Sequence, residues 1–214
     1  MKEGLKLASR AMQAGMVGLA ISGLLLREYT YIPAALIAVF ISTLPSVIRR
    51  DLNLVLPVEL NFWIVLALFV HIVGSFSGFY DNLPGWDHLT HAMSASLVAA
   101  LGFVVVTAVD KYADSIYLPP AFIALFIIMF TMAIGVIWEL TEYLVEELTG
   151  SHLQYSLTDT MRDLLFDAIG GLLVASVGSF YLTHTSTDHF VDTLQVGEAK
   201  ERVKTVLERR ARRK

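Results

Sequence analysis

The chain reads as an all-α polytopic membrane bundle of about six transmembrane helices, closed by a short basic cytoplasmic C-terminal helix. Three features carry that expectation. Apolar residues make up 55% of the 214 and charged residues only 17%, against about 25% charged in an average soluble domain, and the mean hydropathy is +0.61. Six apolar runs reach the roughly 20 residues that a helix needs to cross a hydrocarbon core of about 30 Å. Lysine and arginine, finally, are segregated between alternate connecting segments.

The runs extend approximately from Leu7 to Leu26, Tyr31 to Ile48, Val58 to Tyr80, Asp87 to Val109, Pro120 to Leu144 and Asp159 to Leu182. Gln13 interrupts the first, and Pro33 and Pro45 bracket the second; proline is tolerated near helix ends and in membrane spans. The basic start followed by an apolar stretch imitates a secretory signal, but no small-x-small cleavage pattern follows Leu24 to Leu26 before Arg27. The segment is therefore expected to stay as the first span.

With six spans and both termini cytoplasmic, fourteen of the sixteen basic residues fall in inner segments: Lys2, Lys6, Arg10, Arg49, Arg50, Lys111 and eight between Lys200 and Lys214. Arg27 is left in an outer loop and Arg162 near the start of the last span. This is the cytoplasmic enrichment that fixes membrane topology. It puts the segments 81–86 and 149–158 outside, in a multi-pass protein of the cell membrane. The expected division is a transmembrane domain over residues 1–184, with the site-bearing half at 58–184, and a basic tail over 185–214.

Three spans carry ionisable residues at one end, and those ends share one side of the bilayer. The groups are Asp87, His88 and His91, then Glu139 and Glu142, then Asp159, Asp163 and Asp167. Such groups are costly in lipid, so each is expected to face the protein interior or a water-filled cavity and to mark function. Asp87, His88 and His91 lie within about 100° on their helix, Glu139 and Glu142 are neighbours at i, i+3, and the three aspartates form an i, i+4, i+8 row descending about 12 Å. His71 in the third span is a more distant candidate for the same layer. Gly74 with Gly78, Ala92 with Ser96, and Gly170, Gly171, Ala175 and Gly178 are small residues at spacings that let membrane helices approach.

With only Arg162 and two histidines as counter-charges, so many carboxylates either take up protons or bind a cation. The chain has no cysteine, which excludes disulfides, thiolate catalysis, thiolate metal sites and iron–sulfur ligation. A divalent ion held by oxygen and imidazole nitrogen, whether Zn, Mn, Fe or Mg, fits Asp87, His91, Glu139, Glu142, Asp159 and Asp163 as ligands. The Glu-x-x-His element of ferritin-like di-iron bundles is absent. A plainer reading makes Asp87 and Asp159 helix N-caps and leaves Glu142 and Glu146 in water. It suits Asp159 and Glu146 but not Asp167, about two turns inside its span, nor Glu139 near an unfavourable helix C-terminus.

The motifs Asp87-x-x-x-His91, Glu139-x-x-Glu142 after an aromatic residue, and Asp159-Thr160-x-x-Asp163 with small residues at Gly170 resemble those of the YjdF-type family of small membrane proteins. More distantly they resemble VanZ-like proteins, which have an amide where Glu142 stands and an asparagine where Asp167 stands. The resemblance runs from Asp87 to Gly171. It implies a membrane fold and marks Asp87, His91, Glu139, Glu142, Asp159 and Asp163 as motif positions; His88 and Asp167 rest on geometry alone.

The first functional expectation is a metal-dependent enzyme acting on a membrane lipid or lipid-linked headgroup at the outer leaflet. His91, Asp163, Glu139 and Glu142 would be ligands, Asp87 would orient His91, and His88 or Asp167 would be the catalytic general base. A proton- or cation-coupled transporter is the alternative, opposed by the near absence of ionisable residues in the inner halves of the spans and by the lack of an internal repeat. A structural membrane protein with a stabilising polar cluster is the third. The tail alternates Val203, Val206 and Leu207 with basic residues, which suits either an amphipathic helix on anionic inner-leaflet lipid or a soluble topology-fixing end. No nucleic-acid signature, phosphate loop or serine-nucleophile motif is present, and no sequence signal sets the oligomeric state.

Overall fold

The computed structural model describes residues 2–27, 32–112, 118–150, 153–184 and 187–211, and all regular structure among them is helical. Six of the described helices are long and apolar enough to cross a membrane: Lys2–Leu26, Ile32–Asp51, Val58–Ser77, Trp86–Tyr112, Pro120–Thr149 and Leu157–Leu182. The chain divides into two compact units, residues 1–77 with 186–214 and residues 78–185.

The first unit packs α1 (Lys2–Leu26), α2 (Ile32–Leu52) and α3 (Val58–Ser77) against one another. Met16 and Ala20 of α1, Ala35 and Ala38 of α2, and Val65 and Ile72 of α3 are its buried core. Gln13, the polar interruption of the first apolar run, turns inward: its Nε2 donates to Ser42 O at 3.0 Å and Ser42 Oγ at 3.2 Å. A side-chain amide in lipid needs such a partner, and the bond ties α1 to α2. Pro45 lies inside α2, which continues to Leu52.

The C-terminal segment belongs to this unit. It forms α8 (Thr187–Thr193) and α9 (Val196–Ala211), with Val191, Leu194 and Ala199 buried. Val55 N–H donates to Leu194 O at 2.9 Å, and Arg202 Nη1 donates at 3.3 Å to the carbonyls of Arg50 and Asp51. Carbonyls in the last turn of a helix have no partner within it, and a guanidinium satisfies them while complementing the helix dipole. Val203, on the expected apolar face, is exposed. The side chains of Val206 and Leu207, and Arg212 to Lys214 entirely, lie outside the described residues.

The second unit holds α4 (Phe79–Asn82), α5 (Trp86–Tyr112), α6 (Pro120–Thr149) and α7 (Leu157–His184). The third apolar run was expected to continue to Tyr80, but α3 stops at Ser77 because Gly78 adopts φ +67, outside the right-handed helix. Gly78 is thus a turn residue and not half of a helix-packing pair. Helix α6 runs to Thr149, beyond the expected Leu144, and ends at Gly150 in the left-handed conformation, whose N–H reaches Glu146 O. Glu139 therefore sits well inside its helix, and the expected dipole penalty at a C-terminus does not apply. Ser156 starts α7, its hydroxyl accepting the Asp159 N–H at 3.2 Å; Asp159 is a first-turn residue and the cap is Ser156. Asp87 likewise lies in the first turn of α5.

Helix α7 lies along both α5 and α6. A Cβ added at Gly170 would come 2.8 Å from Ala92 O and 3.0 Å from Ala95 Cβ and Ser96 N, and one at Gly171 would come 3.2 Å from Thr131. The two glycines seat α7 on the Ala92–Ser96 face of α5 and on α6. Gly170→Ala is expected to push backbones apart at a cost of about 1–3 kcal/mol and lower the thermal midpoint of the detergent-purified protein. Gly18→Ala, with nothing within 4 Å of its Cβ, should leave that midpoint unchanged in the same melt.

Candidate functional site

The second unit brings together Asp87, His88 and His91 from α5, Glu139 and Glu142 from α6, and Asp159, Asp163 and Asp167 from α7. His91, Glu139, Asp163 and Asp167 are buried, with 7%, 5%, 3% and 4% of their surface exposed; Asp87, His88, Glu142 and Asp159 are half-buried around them. Helices α5 and α7 start at this end and α6 finishes there, so the three helices contribute from the same end.

Two imidazole–carboxylate pairs join α5 to α7. His88 Nδ1 lies 2.9 Å from Asp163 Oδ1, and the His88 ring stacks on Phe166 with centroids 5.0 Å apart and planes 11° apart. One turn deeper, His91 Nδ1 lies 3.3 Å from Asp167 Oδ1. The other His91 nitrogen, Nε2, faces Asp87 Oδ1 at 3.7 Å and Glu139 Oε1 at 3.8 Å. Spacing along α5 favoured Asp87 as the residue orienting His91. The structure instead sets Asp167, 76 residues away, within hydrogen-bond reach of Nδ1, while Asp87 faces Nε2 from 3.7 Å.

Two carboxylate oxygens in this cluster, Glu139 Oε1 and Asp167 Oδ2, are buried and have no hydrogen-bond partner among the described residues. Among the described residues no lysine or arginine forms an ion pair with the six carboxylates, and Arg162 is exposed. The expected counter-charge at Arg162 is thus not supplied. Three sets offer ligand atoms that all lie within 4.8 Å of one another: Asp87, His91 and Asp163; His88, Asp159 and Asp163; and His91, Glu139 and Glu142. The donor chemistry fits a hard or borderline divalent cation. Asp167 joins none of these sets and acts on His91 instead. His71 belongs to the first unit.

The loop between α6 and α7 closes one side in a way that helical periodicity does not signal. Gln154 Nε2 donates to Glu139 O at 3.0 Å and to Glu139 Oε2 at 3.3 Å, holding that carboxylate by the oxygen that does not face His91. Glu146 Oε2 accepts the N–H groups of Leu153 and Gln154 at 2.9 and 2.8 Å, so it shapes the loop. Trp138 Nε1 donates to Glu142 Oε1 at 2.9 Å, and Tyr155 OH donates to Asp81 Oδ1 at 2.8 Å. Tyr80 OH meets Thr90 Oγ1 at 3.2 Å. Only the polar cluster Gln154–Tyr155 beside acidic helix ends hinted at these roles.

The family described as "Predicted membrane protein (DUF2238)" matches residues 7–184. The chain belongs to that family. The match begins inside the first candidate span, takes in the other five and ends with α7, in agreement with a multi-pass membrane protein. A protein of Thermotoga maritima described as uncharacterized is 25% identical over 136 residues, covering 62% of this chain and 68% of that one. No solved structure matches the chain.

Two expectations follow from the geometry. Burial, then the hydrogen bond to Asp81 and its negative charge, push the Tyr155 phenol above its usual range. A raised folded-state value leaves the Tyr155–Asp81 link intact below the ordinary tyrosine pKa of about 10 and loses it as the pH climbs further. The phenolate absorbance missing from Tyr155→Phe should accordingly appear in the parent only above about pH 10; appearance at or below that pH would contradict the link. A Cβ added at Gly135 would fall on the Asp167 carboxylate, 3.1 Å from its Cγ and 3.4 Å from its Cβ, so the buried side chain must shift. Gly135→Ala is therefore expected to displace Asp167 from His91, changing the His91 Nδ1 signal in histidine nitrogen NMR, with a smaller loss of thermal stability than Gly170→Ala.

Proposed function

We propose that this protein is a membrane-embedded metal-dependent enzyme that acts on the phosphate-bearing headgroup of a membrane lipid or lipid-linked molecule. The observation that carries the reading is the convergence of three ligand sets, sharing His91 and Asp163, on a buried carboxylate cluster that no lysine or arginine compensates. Ionised carboxylates taken out of water cost several kcal/mol each unless a positive charge meets them. A divalent cation meets that need, and the sulfur-free donor set suits zinc, manganese, iron or magnesium.

Asp87, His91, Glu139, Glu142, Asp159 and Asp163 are the residues that would hold the ion. Asp167 fixes the tautomer and direction of His91 from behind, as carboxylates commonly do for ligand imidazoles. The same task removes Asp167 from the role of general base and leaves His88, at the half-buried margin, as the proton acceptor. When bound, a divalent ion would polarise a phosphoryl oxygen and lower the pKa of a coordinated water. The distribution of basic residues supports cytoplasmic termini and a site opening in the outer half of the bilayer, where a headgroup is within reach. The motif positions support placing the chain with YjdF-like proteins inside its family.

Transport of protons or cations is the competing reading. Helix α6 has no ionisable residue before Glu139, which supports a site confined to one end over a relay through the unit. The deciding experiment is metal analysis of the detergent-purified protein, followed by phosphate release from lipid phosphates. Expected are at least one equivalent of divalent metal, sharply reduced in Asp163→Asn, and phosphate release in the loaded parent at least tenfold above that variant. No metal after loading with each of the four ions would overturn the enzyme reading and send the protein to proton flux assays in vesicles.

A further inference from the structure

We infer that the site is built for two divalent cations at once, the first held by His88, Asp159 and Asp163 and the second by His91, Glu139 and Glu142, with Asp87 and Asp163 joining them. This rests on the metal reading above and goes beyond it in number, in the reaction it suits and in ligand assignment, which moves His88 from proton acceptor to metal ligand. The two sets share no residue, so filling one does not empty the other. The remaining set, Asp87, His91 and Asp163, borrows His91 from one and Asp163 from the other, which makes the positions adjacent. A carboxylate has two oxygens and is able to bridge neighbouring ions.

Each position has its own imidazole, held independently. His88 is stacked on Phe166, whereas His91 is held at Nδ1 by Asp167 and presents Nε2. The second position carries a separate mark: Glu139 is 5% exposed, its Oε2 is engaged by Gln154, and its Oε1, 3.8 Å from His91 Nε2, is buried without a hydrogen-bond partner among the described residues. An orphaned buried acceptor of this kind costs about 1–3 kcal/mol, which a cation there removes.

Charge points to the same number. Fully ionised, the six carboxylates carry six negative charges; one divalent ion leaves four uncompensated in the bundle interior and two ions leave two, one of them on Asp167, which faces His91 Nδ1. A pair of ions about 3.5–4 Å apart clamps both the attacking and the leaving oxygen of an in-line displacement at phosphorus. The substrate class is therefore a phosphate ester, with water adding to phosphorus as the phosphorus–oxygen bond to the lipid alcohol breaks and that alcohol takes up a proton.

The test is manganese loading of the full-length, detergent-purified protein, read as bound metal per chain and as the electron paramagnetic resonance spectrum. Two equivalents with an exchange-coupled signal are expected in the parent. Asp159→Asn and His88→Ala should each keep one uncoupled ion, and Glu142→Gln should keep one ion in the other position. Thermal melts of all three identify any variant that fails to fold, and Asp159 and Glu142 are half-buried enough for amide replacement. A parent saturating at one equivalent, or variants on the two sides that all lose the metal completely, would overturn the dinuclear assignment. One equivalent with phosphate release would leave the enzyme reading standing; two coupled ions without phosphate release would sustain the dinuclear site and sink the enzyme reading.

Discussion

The close approach of α5 and α7 governs everything else in the second unit. Where Gly170 lies against the Ala92 carbonyl there is no room for a side chain, so the backbones meet at a distance that short polar side chains can span. His91, one residue before Ala92, then meets Asp167, three before Gly170. Had the glycine been an alanine, the aspartate and imidazole would face each other across a wider gap, and neither has the length to make it up. Packing of small residues is in this sense the precondition of the polar chemistry and not a separate feature of the bundle.

The opposite helix makes the same accommodation. Gly135 of α6 leaves the space that the Asp167 carboxylate occupies, and one turn further along Glu139 enters from the same helix. Helices α6 and α7 thus leave bare backbone at residues 135, 170 and 171 while projecting acid groups at 139, 163 and 167. A polar cluster so embedded is costly in isolation and becomes favourable only when positive charge is supplied. The histidines give the carboxylates hydrogen-bond partners, and the lack of a lysine or arginine ion pair among the described residues is the physical ground for proposing cations.

The first unit shows how the bundle treats polar groups that serve packing. Gln13 donates to Ser42 between α1 and α2, the Ser42 hydroxyl donates to Val39 O, and Arg202 covers the carbonyls at the end of α2. Among the described residues Glu139 Oε1 and Asp167 Oδ2 are buried without a hydrogen-bond partner, as are Trp86 Nε1 and Ser179 Oγ, but the two oxygens stand amid converging carboxylates and imidazoles.

The six spans were legible from composition and run length alone, because a backbone crossing hydrocarbon must satisfy its own hydrogen bonds over about 20 residues and only a long apolar helix does so. Their ends were less legible. Gly78 breaks a run that hydropathy carries to Tyr80, and α6 continues past its apolar stretch through Glu142 and Glu146, since helix formation does not stop where hydrophobicity does. Candidate site residues were legible as well, since an ionisable group inside a span is costly enough to stand out from its neighbours. Which carboxylate would orient His91 was not legible. Spacing within α5 pointed to Asp87, whereas the rotation of α7 about its axis and its depth against α5 selected Asp167, and those two quantities arise from interhelical packing that no single helix encodes.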